Sequence, residues 1–127
     1  MISTPEKLKQ ILLIDDDELI LKVINRILTK EGYDVKTATN GKDALEMLES
    51  QKFDLLITDI MMPYSNGYEV ISKFKQHPNA VGVPIMVISS IGTEKAVREG
   101  LNIGADEYLR KPIMPDELMI RVRRFLK

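Results

Sequence analysis

Five short apolar runs alternate along this chain with stretches whose apolar residues recur every three to four positions. That alternation constrains the fold more than any other feature. Ile11-Leu12-Leu13-Ile14 is continuously apolar and ends at Asp15, as a strand covered on both faces does. A second, half-polar run covers Tyr33 to Ala38, and the third is Leu55-Leu56-Ile57 within Asp54 to Asp59. Pro84 opens the fourth, Ile85-Met86-Val87-Ile88; Glu107 to Arg110 is a short fifth. Between the first two, Ile20, Val23, Ile24, Ile27 and Leu28 share one helical face, with Gly32 where a C-terminal cap glycine belongs. Helical period returns over Gly41 to Glu49, Gly67 to Lys75, Thr93 to Leu101 and Pro115 to Lys127, the last with Leu118, Val122, Phe125 and Leu126 inward. Such alternation predicts an α/β fold with helices on both faces of a parallel sheet. Right-handed crossovers leave few topologies, and a doubly wound five-stranded sheet in the order 2-1-3-4-5 is the expectation.

Composition narrows the chemistry. At 127 residues, one domain is expected, with Met1 to Leu8 as an N-terminal tail and residues 9–127 as the domain. Nineteen acids against eighteen bases give a formal charge of −1, which argues against a domain-wide footprint for nucleic acid or an anionic membrane. The absence of cysteine removes disulfides, thiolate metal sites and thiol nucleophiles. A single histidine, His77, beside Pro78 in a polar connection, leaves no multi-histidine metal site and reads as a surface residue. No apolar run approaches the roughly 20 residues of a membrane span, and the first residues lack a signal-peptide core, so a cytoplasmic location is expected. What remains for chemistry is carboxylate, hydroxyl and lysine.

In a doubly wound sheet, ligands bind beyond the carboxyl ends of the strands, near the point where strand order reverses. There the sequence places Asp15-Asp16-Asp17-Glu18, Asp59, Ser89-Ser90 and Lys111-Pro112. In the expected order the first and third strands are neighbours, so Asp15, Asp16 and Asp59 share a pocket rimmed by Ser89 and Lys111. Like charges 4 Å apart repel by about 4 kcal/mol at an effective dielectric of 20. One lysine leaves such a pocket short of positive charge, so it demands protonation or a cation. Oxygen-only ligands in an open carboxylate site favour Mg²⁺. Asp17, at the start of a helix, reads more simply as its N-cap. A nucleophilic carboxylate, a metal clamp, a hydroxyl donor and a lysine together form the set that phosphoryl transfer needs.

At these residues the sequence resembles the receiver domain of two-component response regulators over residues 8–127. Four segments carry the resemblance: Ile11 to Asp17, Asp54 to Pro63 followed by Asn66-Gly67, Pro84 to Ser90, and Gly104 to Pro112. The resemblance implies a flavodoxin-like (βα)5 fold and a phosphoacceptor switch, not an enzyme in the ordinary sense. It implies that Asp59 receives a phosphoryl group from a sensor histidine kinase, a phosphotransfer protein or a small phosphodonor. Asp16, Asp59 and the Met61 backbone carbonyl would ligate Mg²⁺, with Asp15 acting through water. Lys111 would pair with Asp59 and then with the phosphoryl oxygens; Ser89 would swing toward that group, and Tyr108 would rotate inward. The Lys111-Pro112 bond would be cis. The output face would be the fourth helix, fifth strand and last helix.

Ser89 stands where threonine is commoner in the family. Met61 and Ile91, two residues beyond Asp59 and Ser89, flank the pocket mouth and are expected to hinder water and slow dephosphorylation. Glu117 to Arg121 resembles the last helix of receivers that form homodimers through the output face, which makes Asp106 a partner for Arg121 across a two-fold axis. No direct nucleic-acid contact is expected: the basic end of the last helix suits the helix dipole. Two rivals stand beside the switch. A haloacid-dehalogenase-like phosphohydrolase would use Asp15 as nucleophile and Asp17 as acid/base. A receiver-shaped scaffold would never be phosphorylated.

Overall fold

A computed structural model describes residues 8–62, 65–90 and 94–126. The N-terminal tail expected before the domain lies, apart from Leu8, outside the described residues. In chain order the elements are β1 (Gln10–Ile14), α1 (Glu18–Lys30), β2 (Asp34–Ala38), α2 (Gly41–Ser50), β3 (Leu55–Asp59), α3 (Gly67–Gln76), β4 (Ile85–Ser89), α4 (Glu94–Ile103), β5 (Glu107–Arg110) and α5 (Pro115–Phe125). A two-residue antiparallel ladder of Met61–Met62 with Ser65–Asn66 follows β3, and a 3-10 turn at Pro78–Ala80 precedes β4.

The strands pair in parallel in the order β2-β1-β3-β4-β5, as the alternation predicts. Strands β3 and β4 are buried at every position, whereas the half-polar β2 lies at the edge of the sheet. Alternate strand residues feed two cores. Leu12, Leu56 and Val87 meet Leu48 of α2 and Ile71 and Phe74 of α3 on one face; Leu13, Ile57 and Met86 meet Ile24 and Leu28 of α1 and Leu118 and Val122 of α5 on the other. Each such side chain, removed fully from water, contributes roughly 1.5–3 kcal/mol.

The caps that hold α1 beside the carboxyl end of β1 are written in the sequence. The Asp17 carboxylate accepts the N–H groups of Leu19 at 2.9 Å and Ile20 at 3.4 Å. At the other end Gly32, with φ +98°, donates its N–H to Thr29, and Tyr33 donates to Leu28, the paired bonds of a Schellman stop. The inward face of α1 differs from the expectation. Leu21, Ile24 and Leu28 are buried, while Val23 is 50% exposed. With apolar residues at 19, 20, 21, 23, 24, 27 and 28, the helix carries more than one stripe can hold, and Leu21 takes the position nearest the sheet. Helix α4 runs on to Ile103, past the expected Leu101; its expected start, Thr93, lies outside the described residues. Pro115 sits in the first turn of α5, and the Lys111-Pro112 bond is cis. Among the described residues no helix is long and apolar enough to cross a membrane.

Candidate functional site

The site is built where β1 and β3 end side by side. Ile14 is registered against Thr58, which brings the next residues, Asp15 and Asp59, to adjacent strand ends. Asp15 keeps its N–H on the Ala38 carbonyl at 3.1 Å, and its Oδ1 accepts the Asp17 N–H at 2.9 Å, which turns the chain into α1. Asp15 has no exposed surface, Asp59 is 4% exposed and Asp16 faces solvent. One carboxylate oxygen from each of the three lies within 4.8 Å of the others.

Lys111 reaches this cluster from the end of β5. Its backbone N–H donates to the Ser89 carbonyl at 2.8 Å, fixing the loop to the end of β4. Its Nζ lies 2.9 Å from Asp15 Oδ2 and 3.0 Å from Asp59 Oδ2. Only the Asp59 contact has hydrogen-bond alignment; apart from the ion pair, buried Asp15 Oδ2 has no hydrogen-bond donor among the described residues. Burial of the Lys111 ammonium pulls its pKa down, but Asp15 and Asp59 outweigh that and hold it above the ordinary lysine value. The lysine is therefore a fixed cation, a single positive charge facing three carboxyl groups. Carboxylate-only donors around an orphaned buried oxygen fit a hard divalent cation.

Ser89 closes β4 with no exposed surface, and Ser90 beside it is exposed. Tyr108 is 9% exposed, on the sheet position paired with Val87. Tyr68 stands near it, partly buried; burial first, then Glu99 and Tyr108, raises its phenol pKa. Of the two residues expected at the pocket mouth, Ile91 lies outside the described residues, and of Met61 only the backbone pairing with Asn66 is described. The expected dimer contacts are engaged within the chain. Asp106 Oδ2 accepts the Ile85 N–H at 2.8 Å and lies 3.8 Å from Lys75 Nζ, while Arg121 donates to Glu107 at 2.9 Å. His77 caps the 3-10 turn, its Nδ1 accepting the Asn79 N–H at 3.0 Å. The hydrolase reading fails on geometry: Asp15 is sealed from solvent, and Asp17 is spent on the α1 cap.

Sequence reasoning missed one feature beside the acids. Leu19, Val23, Pro112 and Ile113 line an apolar cleft of about 510 Å³ whose rim includes Lys111 and Ser90. Its signal in the sequence was the surplus of apolar residues in α1.

Residues 11–123 match the family model of the response regulator receiver domain. The chain is 37% identical over 119 residues to the alkaline phosphatase synthesis transcriptional regulatory protein PhoP of Bacillus subtilis, covering 94% of this chain and 49% of that protein. It thus spans about half the length of the curated relatives it matches. A putative response regulator from Chloroflexus aurantiacus superimposes with a TM-score of 0.89 at 33% identity, covering 94% of this chain and 98% of that one. The receiver domain of the sensor histidine kinase PA1611 from Pseudomonas aeruginosa, solved with a magnesium ion in its active-site cleft, does so with 0.86 at 27% identity, covering 94% and 98%. The acid cluster, its lysine and the strand order thus stand on a scaffold of known lineage: the chain belongs to the response regulator receiver domain family.

Proposed function

We propose that this domain is a phosphoacceptor switch in which Asp59 takes a phosphoryl group from a histidine kinase, a phosphotransfer protein or a small phosphodonor. The observation that carries the reading is the Lys111 ammonium held between the buried carboxylates of Asp15 and Asp59 at adjacent strand ends. An Asp59 oxygen attacks phosphorus, the bond from phosphorus to the donor nitrogen or oxygen breaks, and its electron pair leaves with the donor. Lys111 then exchanges its contact with Asp59 for the phosphoryl oxygens, and its fixed positive charge needs no rearrangement in the transition state. Mg²⁺, held by Asp16, Asp59 and the Met61 carbonyl with Asp15 through water, would neutralise charge on the transferring group. Ser89 closes on the new oxygens, and its movement biases the α4-β5-α5 face. Met61 and Ile91 keep water from the phosphoryl group, so replacing both with polar residues speeds dephosphorylation.

A protein donor must lay a phosphohistidine against Asp59, and the apolar cleft between α1 and Ile113 supplies contact surface beside it. Such donors act in the cytoplasm, which is where this reading puts the chain. A homodimer through α4-β5-α5 extends the proposal: Arg121 trades Glu107 for a second copy's Asp106. Light scattering that finds only monomer at high micromolar phosphorylated protein overturns that extension. The switch itself is tested with acetyl phosphate and Mg²⁺. The expected result is a gain of one phosphoryl mass that Asp59→Asn abolishes; no gain, together with an unaltered Asp59→Asn protein, leaves the scaffold reading in its place.

A further inference from the structure

Tyr108 lies against helix α4 at a place where a side chain is missing. A Cβ built on Gly100 would sit 3.0 Å from Tyr108 Cδ2 and 3.1 Å from Cε2, tighter than a Cβ normally tolerates. Gly100 is buried and lies in the seventh position of the ten-residue helix, where glycine is unfavourable relative to alanine. Its backbone φ is outside the left-handed region, so the helix itself does not require glycine there. The ring does. Because side chains alternate along β4 and β5, Tyr108 projects from the same sheet face as its partner Val87 and as Ser89 two residues further on. Tyr68 and Val97 pack on the same apolar cluster as the Tyr108 ring.

We infer that Gly100 is a positioning residue for Tyr108: by leaving its Cβ out, it gives the ring a seat under α4 and ties that helix to β5. The seat makes the inward ring and the position of α4 one mechanical unit. Its link to signalling rests on the switch proposed above, since Ser89 shares the ring's sheet face. A methyl at position 100 pushes the ring outward or α4 away from the sheet, and either uncouples the output face from Ser89.

The seat is tested by thermal unfolding of four proteins: the native chain, Gly100→Ala, Tyr108→Val and the double variant. With the ring removed, alanine raises the melting temperature by about 3 °C through helix propensity. With the ring present, that gain disappears or reverses. Equal stabilisation in both backgrounds overturns the seat. A readout that structure alone would not move comes from ring-labelled tyrosine spectra and from titration with beryllofluoride and Mg²⁺. In Gly100→Ala the Tyr108 resonance moves to an exposed environment, and beryllofluoride binding weakens roughly fivefold, a small coupling between sites, while binding of Mg²⁺ alone is unchanged. Unaltered resonance and affinity overturn the positioning role. A native chain that binds no beryllofluoride instead refutes the phosphoacceptor reading, and the unfolding cycle still decides the seat.

Discussion

The two ends of one parallel sheet treat their acids in opposite ways. At the amino ends of the strands, Asp54 Oδ2 accepts the Gln10 N–H at 2.7 Å and Asp106 Oδ2 accepts the Ile85 N–H at 2.8 Å. Asp34 Oδ2 takes the Gln10 side-chain amide at 2.7 Å. At the carboxyl ends, Asp15, Asp16 and Asp59 crowd around one lysine, and apart from its ion pair with that lysine a buried oxygen of Asp15 has no hydrogen-bond donor among the described residues. The cause is the direction of the chain. Parallel strands present spare N–H groups at their amino edge and spare carbonyls at their carboxyl edge. An acid at the first edge is met by donors and becomes structure. An acid at the second edge meets fewer donors: Asp15 accepts the Asp17 N–H with one oxygen only, and the crowded charge stays available for a cation or a phosphoryl group.

Substitutions at the two edges should therefore fail differently. The largest effect is functional: Asp59→Asn loses phosphoryl uptake altogether and stays folded, as read by intact mass and circular dichroism. Lys111→Met comes next. It leaves Asp15 buried without its counter-charge, and urea unfolding without divalent cation should show a loss of about 3 kcal/mol. Asp54→Ala strands the Gln10 N–H at the opposite edge and should cost about 1–3 kcal/mol in the same assay, with phosphoryl uptake unchanged. Asp16→Asn should have the reverse sign. By removing one crowded charge, it stabilises the metal-free protein by up to about 1 kcal/mol and abolishes the rise in melting temperature with added Mg²⁺. If Asp16→Asn destabilises the metal-free protein, the contrast between the edges is wrong.

The smallest effect concerns pH. Lys111 holds its proton more tightly in the folded than in the unfolded chain. Its contribution is thus complete below the unfolded lysine value and fades as pH climbs through the folded one. Native stability compared with Lys111→Met should show a constant difference from neutral pH to about 10, shrinking only above that.

Much of the carboxyl edge was legible in the sequence because each continuous apolar run marks a buried strand and its first acid marks the strand's end. Asp15 and Asp59 follow directly, and the Asp17 cap and Gly32 stop follow from local chemistry. The amino edge was not legible in this way. Asp34, Asp54 and Asp106 look like loop acids until the register shows which N–H each one meets. Leu21 and Val23 were exchanged in the expected face of α1 because an overloaded helix has no unique stripe; the exposed Val23 then opens the cleft beside Lys111. The Tyr108 seat was invisible for a different reason, since a glycine's missing Cβ has meaning only once its neighbour is placed.

The most direct test maps where the phosphoryl group lands. The protein is treated with phosphoramidate and Mg²⁺, the acyl phosphate is reduced with borohydride, and the converted residue is located by peptide mass spectrometry. The account predicts conversion at Asp59 alone. Conversion at Asp15 or Asp16, or none under conditions that label an active receiver, would contradict it.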